Sequence, residues 1–276
     1  MTPPIIVWFK RDLRVVDHEP LSRAVREGQV LPLYVIEPDY WARDYTSGRQ
    51  WSFLKDSLIS LDRELTALGQ PLWILIGKVE EVLDHLHKQF QFCKIVSHQE
   101  TGPGWTYQRD LNVKCWSKDH GIVWDEYRQH GVVRGLRERK DWSSQWDQLM
   151  GLPQFATPKR ILGIGSPPKP ASDVLQYFSV TDEITLSSQE GGRDNALLLL
   201  DSFLDDRCET YRSGMSSPST GEVVCSRIST HLSVGSLSVR EVWQRALDRR
   251  QNLKEETGRS VALRSLKSFQ SRLHWH

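Results

Sequence analysis

Short, nearly continuous apolar runs recur through the first half of the chain, at residues 5–9, 30–36, 72–76, 94–97 and 122–124. Runs of this kind are those of strands buried on both faces, as in a parallel sheet. Between them the period lengthens. Trp51, Leu54, Leu58, Leu61, Leu65 and Leu68 recur at helical spacing and predict one long amphipathic helix. Ser47 and Gln50 have the spacing of a capping box at its start, and Gly69 stands just past its end. Residues 79–90 and 105–120 predict two further helices, the second closed by Gly121. Strands alternating with helices across short turns predict an α/β fold: a doubly wound, five-stranded parallel sheet, Rossmann-like, with right-handed crossovers.

The pattern changes near residue 141. Pro153, Pro158, Pro167, Pro168 and Pro170 fall among Gly151, Gly163 and Gly165, and strand periodicity disappears. Residues 141–190 are therefore expected to be a linker running over the surface. After Gly191 and Gly192 comes an amphipathic helix with Leu200, Phe203, Leu204, Cys208 and Tyr211 on one face. Ser238 and Glu241 form a second capping box, and no strand signal follows. The expected division is an α/β domain over 1–140, a linker over 141–190 and an all-α domain over 191–276, whose last helix is unfinished.

A length of 276 residues suffices for two such domains. Hydrophobic content of 38% with 26% charged residues is that of a soluble globular protein, and no apolar run is long enough to span a bilayer. The amino terminus reads as a strand and not as a signal peptide. Four cysteines without a C-x-x-C argue against a disulfide framework or zinc site and fit a reducing, cytoplasmic setting. The net charge of +1 is uninformative about nucleic acid, but residues 257–276 carry Arg259, Arg264, Lys267 and Arg272 and no acid. That stretch is either a solvated helix face or a nucleic-acid surface. Eleven tryptophans suit core filling, light capture or stacking on flat ligands.

Four clusters carry candidate chemistry. The turn after the first strand, Lys10 to Asp17, has no glycine, which disfavours the pyrophosphate loop of NAD-binding folds. Its charges are those of a solvated loop or of the lining of a cofactor crevice. Asp17 is placed to cap the next helix, with Pro20 in the first turn. The stretch from Ser97 to Asp110 reads equally as a mobile loop and as one wall of a pocket for a flat polar molecule. Cys225 to Glu241 groups hydroxyls, amides and Arg227 near a helix start; that is an anion site or a set of ordinary caps. In the last stretch Phe269 and Leu273 share a helix face, while Arg272 and Trp275 share another. His274 and His276, two residues apart on a helix, do not face each other, so no metal site is expected.

Taken in order, these residues resemble the photolyase/cryptochrome family from Ile5 onward. The family opens with W-F-R-R-D-L-R-x-x-D, matched by Trp8 to Arg14 with Asp17, and has an R-D pair matched by Arg109 and Asp110. Its flavin domain opens with a pattern met by Gly191, Gly192, Ala196, Leu200, Phe203 and Leu204. A tyrosine and T-S-x-L-S-x-x-L-x-x-G-x-L-S-x-R follow, met by Tyr211, Ser226 to Ser229, Leu232, Gly235, Leu237, Ser238 and Arg240.

The resemblance implies FAD in the helical domain and an antenna chromophore of folate or deazaflavin type in the α/β domain. It implies that Tyr211, Ser226, Arg227, Ile228, Ser229 and Phe269 belong to the flavin site, and Arg272 and Trp275 to a surface for DNA containing pyrimidine dimers. The implied activity is that of a deoxyribodipyrimidine photo-lyase, a carbon–carbon lyase driven by photoinduced electron transfer. The alternatives are a cryptochrome-like blue-light receptor with a signalling partner, and a truncated, inactive ligand-binding fragment. Against the family pattern, Cys225 stands for threonine or serine, Phe269 for tryptophan and Arg272 for glutamate. The family's helical domain also extends well beyond the point that corresponds to residue 276, so most of the isoalloxazine pocket lies outside this sequence.

Overall fold

A computed structural model describes residues 3–180, 189–255 and 260–275. Five strands form one all-parallel sheet: β1 (Ile5–Phe9), β2 (Val30–Ile36), β3 (Trp73–Ile76), β4 (Lys94–His98) and β5 (Val123–Tyr127). Their order is β3-β2-β1-β4-β5. The chain winds one way from β1 to β3, then returns to the other side of β1, which puts the topological switch between β1 and β4. The helices of this half are α1 (Glu19–Glu27), α2 (Pro38–Trp41), α3 (Gly48–Ala67), α4 (Val79–Phe90) and α5 (Gly104–Asp119). The sheet and its helices are those expected from the apolar pattern, with ends shifted by a residue or two.

Side chains alternate across the strands as the pleat requires. Ile6, Trp8, Leu31, Leu33, Val35 and Ile95 form one apolar layer with Val82, Leu83 and Leu86 of α4 and Val113 of α5. Helix α1 packs over β1 and β4. At the start of α3 the Ser47 hydroxyl accepts the Gln50 N–H at 3.3 Å, and Gly69 takes a φ of +106° just past its end.

The remaining helices are α6 (Trp142–Gly151), α7 (Ala171–Tyr177), α8 (Arg193–Asp205), α9 (Tyr211–Gly214), α10 (Gly221–Val224), α11 (Ser229–Val234), α12 (Val239–Glu255) and α13 (Ser260–Leu273). The chain divides into two compact units, one of Met1–Arg128 with Phe155–Gly192, the other of Gln129–Gln154 with Arg193–His276. Residues 141–180 are thus not a surface linker. Helix α6 sinks Trp146 and Met150 into the helical core beside Ala196, Leu200, Phe203 and Leu266. The α6 pattern of Trp142, Trp146, Leu149 and Met150 is helical in spacing, but the prolines and glycines that follow obscure it. The other part of the stretch belongs to the α/β unit, where α7 packs on α3 and β3. Residues 181–188 of the expected linker lie outside the described residues.

One buried amide holds the returning segment to the α/β unit. The Gln70 carbonyl oxygen accepts the N–H groups of Ile164 at 2.8 Å and Gly165 at 3.2 Å, and its Nε2 donates to the carbonyls of Pro71 at 3.0 Å and Gly165 at 2.9 Å. A side chain at Gly163 would collide with this amide, so the glycine is required by the close approach. We predict that Gln70→Ala costs about 2–3 kcal/mol, because it leaves buried N–H and C=O groups unpaired. Urea unfolding checks the size, and amide exchange should rise at residues 164–165 before the strands.

Candidate functional site

Within the α/β unit, the loops leaving β1 and β4 meet at the switch point, where open α/β sheets bind ligands. They bring together groups that the sequence keeps far apart. Asp12, fully buried, accepts three hydrogen bonds: from the Lys10 N–H at 2.7 Å, His18 Nε2 at 2.9 Å and His98 Nδ1 at 2.8 Å. His18 is also the cap of α1, its Nδ1 accepting the Leu21 N–H at 3.1 Å. That bond places the ring proton on Nε2, facing Asp12.

Asp17 does not cap α1. It sits at a φ of +49°, and its carboxylate and N–H pair with the N–H (3.1 Å) and carbonyl (3.0 Å) of Phe155. The one-residue shift arises because His18 can satisfy the helix end and Asp12 together.

Asp12, His18 and His98 have the residue types of a metal site, their ligand atoms all lying within 4.8 Å of one another. The tautomer argues otherwise. With Nδ1 already an acceptor, His18 would have to give up the Leu21 cap bond by moving its proton to Nδ1, or become an imidazolate, to ligate a metal through Nε2. The trio is a hydrogen-bonded clasp. Burial lowers the basicity of both imidazoles, that of His98 to about 3, with Asp12 opposing the shift. Burial also pushes Asp12 upward, but the two histidines outweigh it and hold the carboxylate well below its ordinary range.

Beside the clasp lies a second buried network. Arg109, from α5, donates to Glu37 at 2.9 Å, to Asp110 at 2.8 Å and to Glu100. Arg11 reaches Glu100 at 3.3 Å, and Lys10 lies 3.6 Å from Asp110 and 3.8 Å from Glu126. The Lys10 ammonium stands over the rings of Trp8 at 4.6 Å and Trp124 at 5.4 Å, and Arg109 stands 4.9 Å from Trp8. Burial drives Glu37 up to about 7 even though Arg109 favours its charged form. Outside this network is an aromatic wall: Tyr40 lies 5.4 Å from Trp105 and 5.5 Å from Trp41, and the Tyr40 hydroxyl accepts from Arg11 at 2.9 Å. The charges after β1 are therefore neither a solvated loop nor an open lining. They fill the crevice. The sequence does not single out His18 or Glu37, and it marks His98 and Glu100 only as members of the 97–110 stretch, without partners; the available signal is the chain's own concentration of charge at strand ends.

In the helical unit, Tyr211 and Phe269 are buried, ring centroids 5.9 Å apart, and both touch Phe203. Burial raises the Tyr211 hydroxyl, the Cys225 thiol adds to the shift and the Arg272 charge opposes it. Ile228 is buried at the head of α11, and Ser229 is exposed as its first residue. Ser226 and Arg227 are half-buried in the turn before it, with Arg227 at a φ of +62° and 3.4 Å from Glu222. Among the described residues, the Ser226 N–H and hydroxyl make no hydrogen bond. Arg272 and Trp275 are exposed at the end of α13, Trp275 at 84%. Arg259 and His276 lie outside the described residues. Ser238 caps α12 by accepting the Glu241 N–H at 2.9 Å, but the Glu241 carboxylate is taken by Arg193 at 2.7 and 3.0 Å, so only half of the capping box forms.

A doubly wound parallel sheet with a charged switch point, joined in sequence to a helical unit with an amide-bearing turn, defines the class of architecture. Residues 5–140 match the family model for DNA photolyase, and the relatives and solved structures that the chain is similar to are photolyases and cryptochromes. It is 26% identical over 271 residues to a cryptochrome DASH of Gloeobacter violaceus, covering 87% of this chain and 52% of that protein. It is 24% identical over 297 residues to a deoxyribodipyrimidine photo-lyase of Agrobacterium fabrum, covering 99% of this chain and 58% of that one. The solved structure of an archaeal photolyase from Sulfolobus tokodaii with two FAD molecules is similar at a TM-score of 0.67 and 23% identity, over 91% of this chain and 56% of that chain. The chain spans about half the length of the curated relatives it matches. Among the described residues, no helix is long and apolar enough to cross a membrane.

Two outcomes follow from the buried charges. Neutral His18 and His98 are favoured only in the folded chain, so stability is full above the ordinary histidine value of 6.5 and falls as pH drops below it. The expected slope is up to about 1.4 kcal/mol per pH unit for each ring. Urea unfolding at stepped pH should show this fall in the wild type and a shallower one in His98→Asn. The second outcome concerns Arg109→Met, which removes the cation partner of buried Glu37 and one partner each of Glu100 and Asp110, and should cost about 3–5 kcal/mol. The loss should shrink as pH is lowered and the carboxylates protonate. A loss independent of pH would contradict the ion-pair account.

Proposed function

We propose that this chain forms the α/β unit and the diphosphate-holding part of a light-dependent FAD protein that repairs pyrimidine dimers in DNA. Bound reduced FAD supplies the photoexcited electron that splits the dimer. The protein's share is to hold, orient and exclude water.

The helical unit offers a donor set that fits the diphosphate. The Ser226 N–H and hydroxyl are uncommitted among the described residues, Ser229 is exposed three residues further on, and Arg227 supplies a cation. Tyr211 and Phe269, buried in the core of the same unit, are the aromatic residues assigned to this site. Cys225 in place of a hydroxyl residue removes one strong donor and leaves the backbone unaltered. The α/β crevice is filled by its own ion pairs, so an antenna pigment of folate or deazaflavin type is assigned to the outer wall of Tyr40 and Trp105, beside Arg11.

The observation that carries the DNA reading is the outer face of α13. Arg264, Lys267 and Arg272 are exposed along it, and an exposed Trp275 stands at its end. Basic side chains that meet phosphates, next to an aromatic surface on which an extrahelical base can stack, are what binding of a flipped lesion needs. A second reading has its own observation. Arg272 is a cation where the family pattern places the glutamate that contacts the lesion, which favours a blue-light receptor acting through a protein partner.

Purified protein distinguishes the two. Light-dependent loss of dimers from irradiated DNA is expected, and flavin photoreduction without repair would establish the receptor reading instead. Ser226→Ala with Ser229→Ala should weaken FAD by about 1–3 kcal/mol, measured by equilibrium dialysis. Unchanged retention would remove the turn from the flavin site.

A further inference from the structure

We propose that Arg207 is a positioning residue that aims the amides of the Cys225–Ser226 turn at a diphosphate; the proposal rests on the FAD reading above. Arg207 lies in the 3-10 turn Arg207–Glu209 that follows α8, far from the turn in sequence. Its guanidinium donates to the carbonyls of Cys225, Ser226 (3.4 Å) and Leu199 (2.7 Å) and to the Ser202 hydroxyl (3.0 Å). The flat side of the fork stands 5.7 Å from the Phe203 ring, the same ring that packs Tyr211 and Phe269.

The consequence follows from peptide geometry. In a planar trans peptide the C=O and N–H point in opposite directions. Drawing the Cys225 and Ser226 carbonyls towards Arg207 therefore turns the next two amides, those of Ser226 and Arg227, away from it. Arg227 then takes the left-handed conformation, at a φ of +62°. Successive amides around a left-handed residue converge on a common point and favour an anion there. Arg207 thus spends its donors on carbonyls and on the Ser202 hydroxyl. A single planar group holding two consecutive carbonyls is a task for which lysine, a point charge without a fork, is a poor substitute.

A second feature points the same way. Burial depresses the Arg207 guanidinium and the Arg227 charge depresses it further, so the two cations oppose each other across the turn. Glu222 compensates only Arg227, at 3.4 Å and from the exposed side. A diphosphate set on the amides would carry negative charge to both.

The test uses the full chain and two flavins: FAD, and riboflavin, which has the ring and ribityl chain without the diphosphate. Arg207→Met should lower FAD affinity by tenfold or more and leave riboflavin unchanged, with Arg207→Lys in between. Arg249→Met is the control, since Arg249 also donates to a carbonyl of the helical unit, that of Leu204 at 3.0 Å, but not to the turn. It should leave the ratio of the two affinities at the wild-type value.

Should Arg207→Met fail to fold, the lysine variant decides, because a shifted FAD-to-riboflavin ratio is still required of it. A parallel loss for both flavins, or a ratio equal to the wild type's, overturns the positioning role. Wild-type protein that does not prefer FAD over riboflavin overturns the diphosphate assignment itself, and this proposal with it.

Discussion

Asp12 is a carboxylate with no access to water, held by three N–H donors from Lys10, His18 and His98. An ionised group in such a place is tolerated only when its oxygens are saturated with hydrogen bonds. The geometry of both loops at the switch point follows from meeting that demand. His18 must turn inward, so it becomes the cap of α1. Asp17 is displaced into a left-handed conformation and binds the returning strand of chain at Phe155. His98, the last residue of β4, must lie level with the loop after β1. One buried charge therefore sets the first helix, the junction with residues 155–180 and the closure of the crevice.

The ion pairs around Arg109 extend this closure outward. Buried pairs of this kind add little net stability compared with an apolar core, but they are costly to break, so they specify one arrangement. Trp8, Lys10 and Trp124 pack as a layered cation–ring group at the centre of the sheet end. The result is a sheet end whose buried charges are paired with one another and with aromatic rings.

The helical unit solves a related problem differently. Its core is aromatic and aliphatic, from Trp146 through Phe203, Tyr211 and Phe269, and the polar groups lie at its margin. Arg193 is tied to Glu241 and to the Ser236 carbonyl, and Arg207 to the carbonyls at the other end of the turn region. Two arginines thus hold the backbone on either side of α11.

The strands, α3 with its Ser47 cap, α4, and the face of Leu200, Phe203 and Leu204 were legible in the chain, because burial acts on each element through its own local period. The family could be read because its motifs are local strings. The buried role of Asp12, the shift of the cap from Asp17 to His18, the inclusion of α6 in the helical core and the reach of Arg207 to Cys225 were not legible. Each depends on a hydrogen bond or contact between residues distant in sequence, and composition carries no record of which polar group meets which. Periodicity determines what must be buried; only the folded chain decides how the charges buried with it are paired.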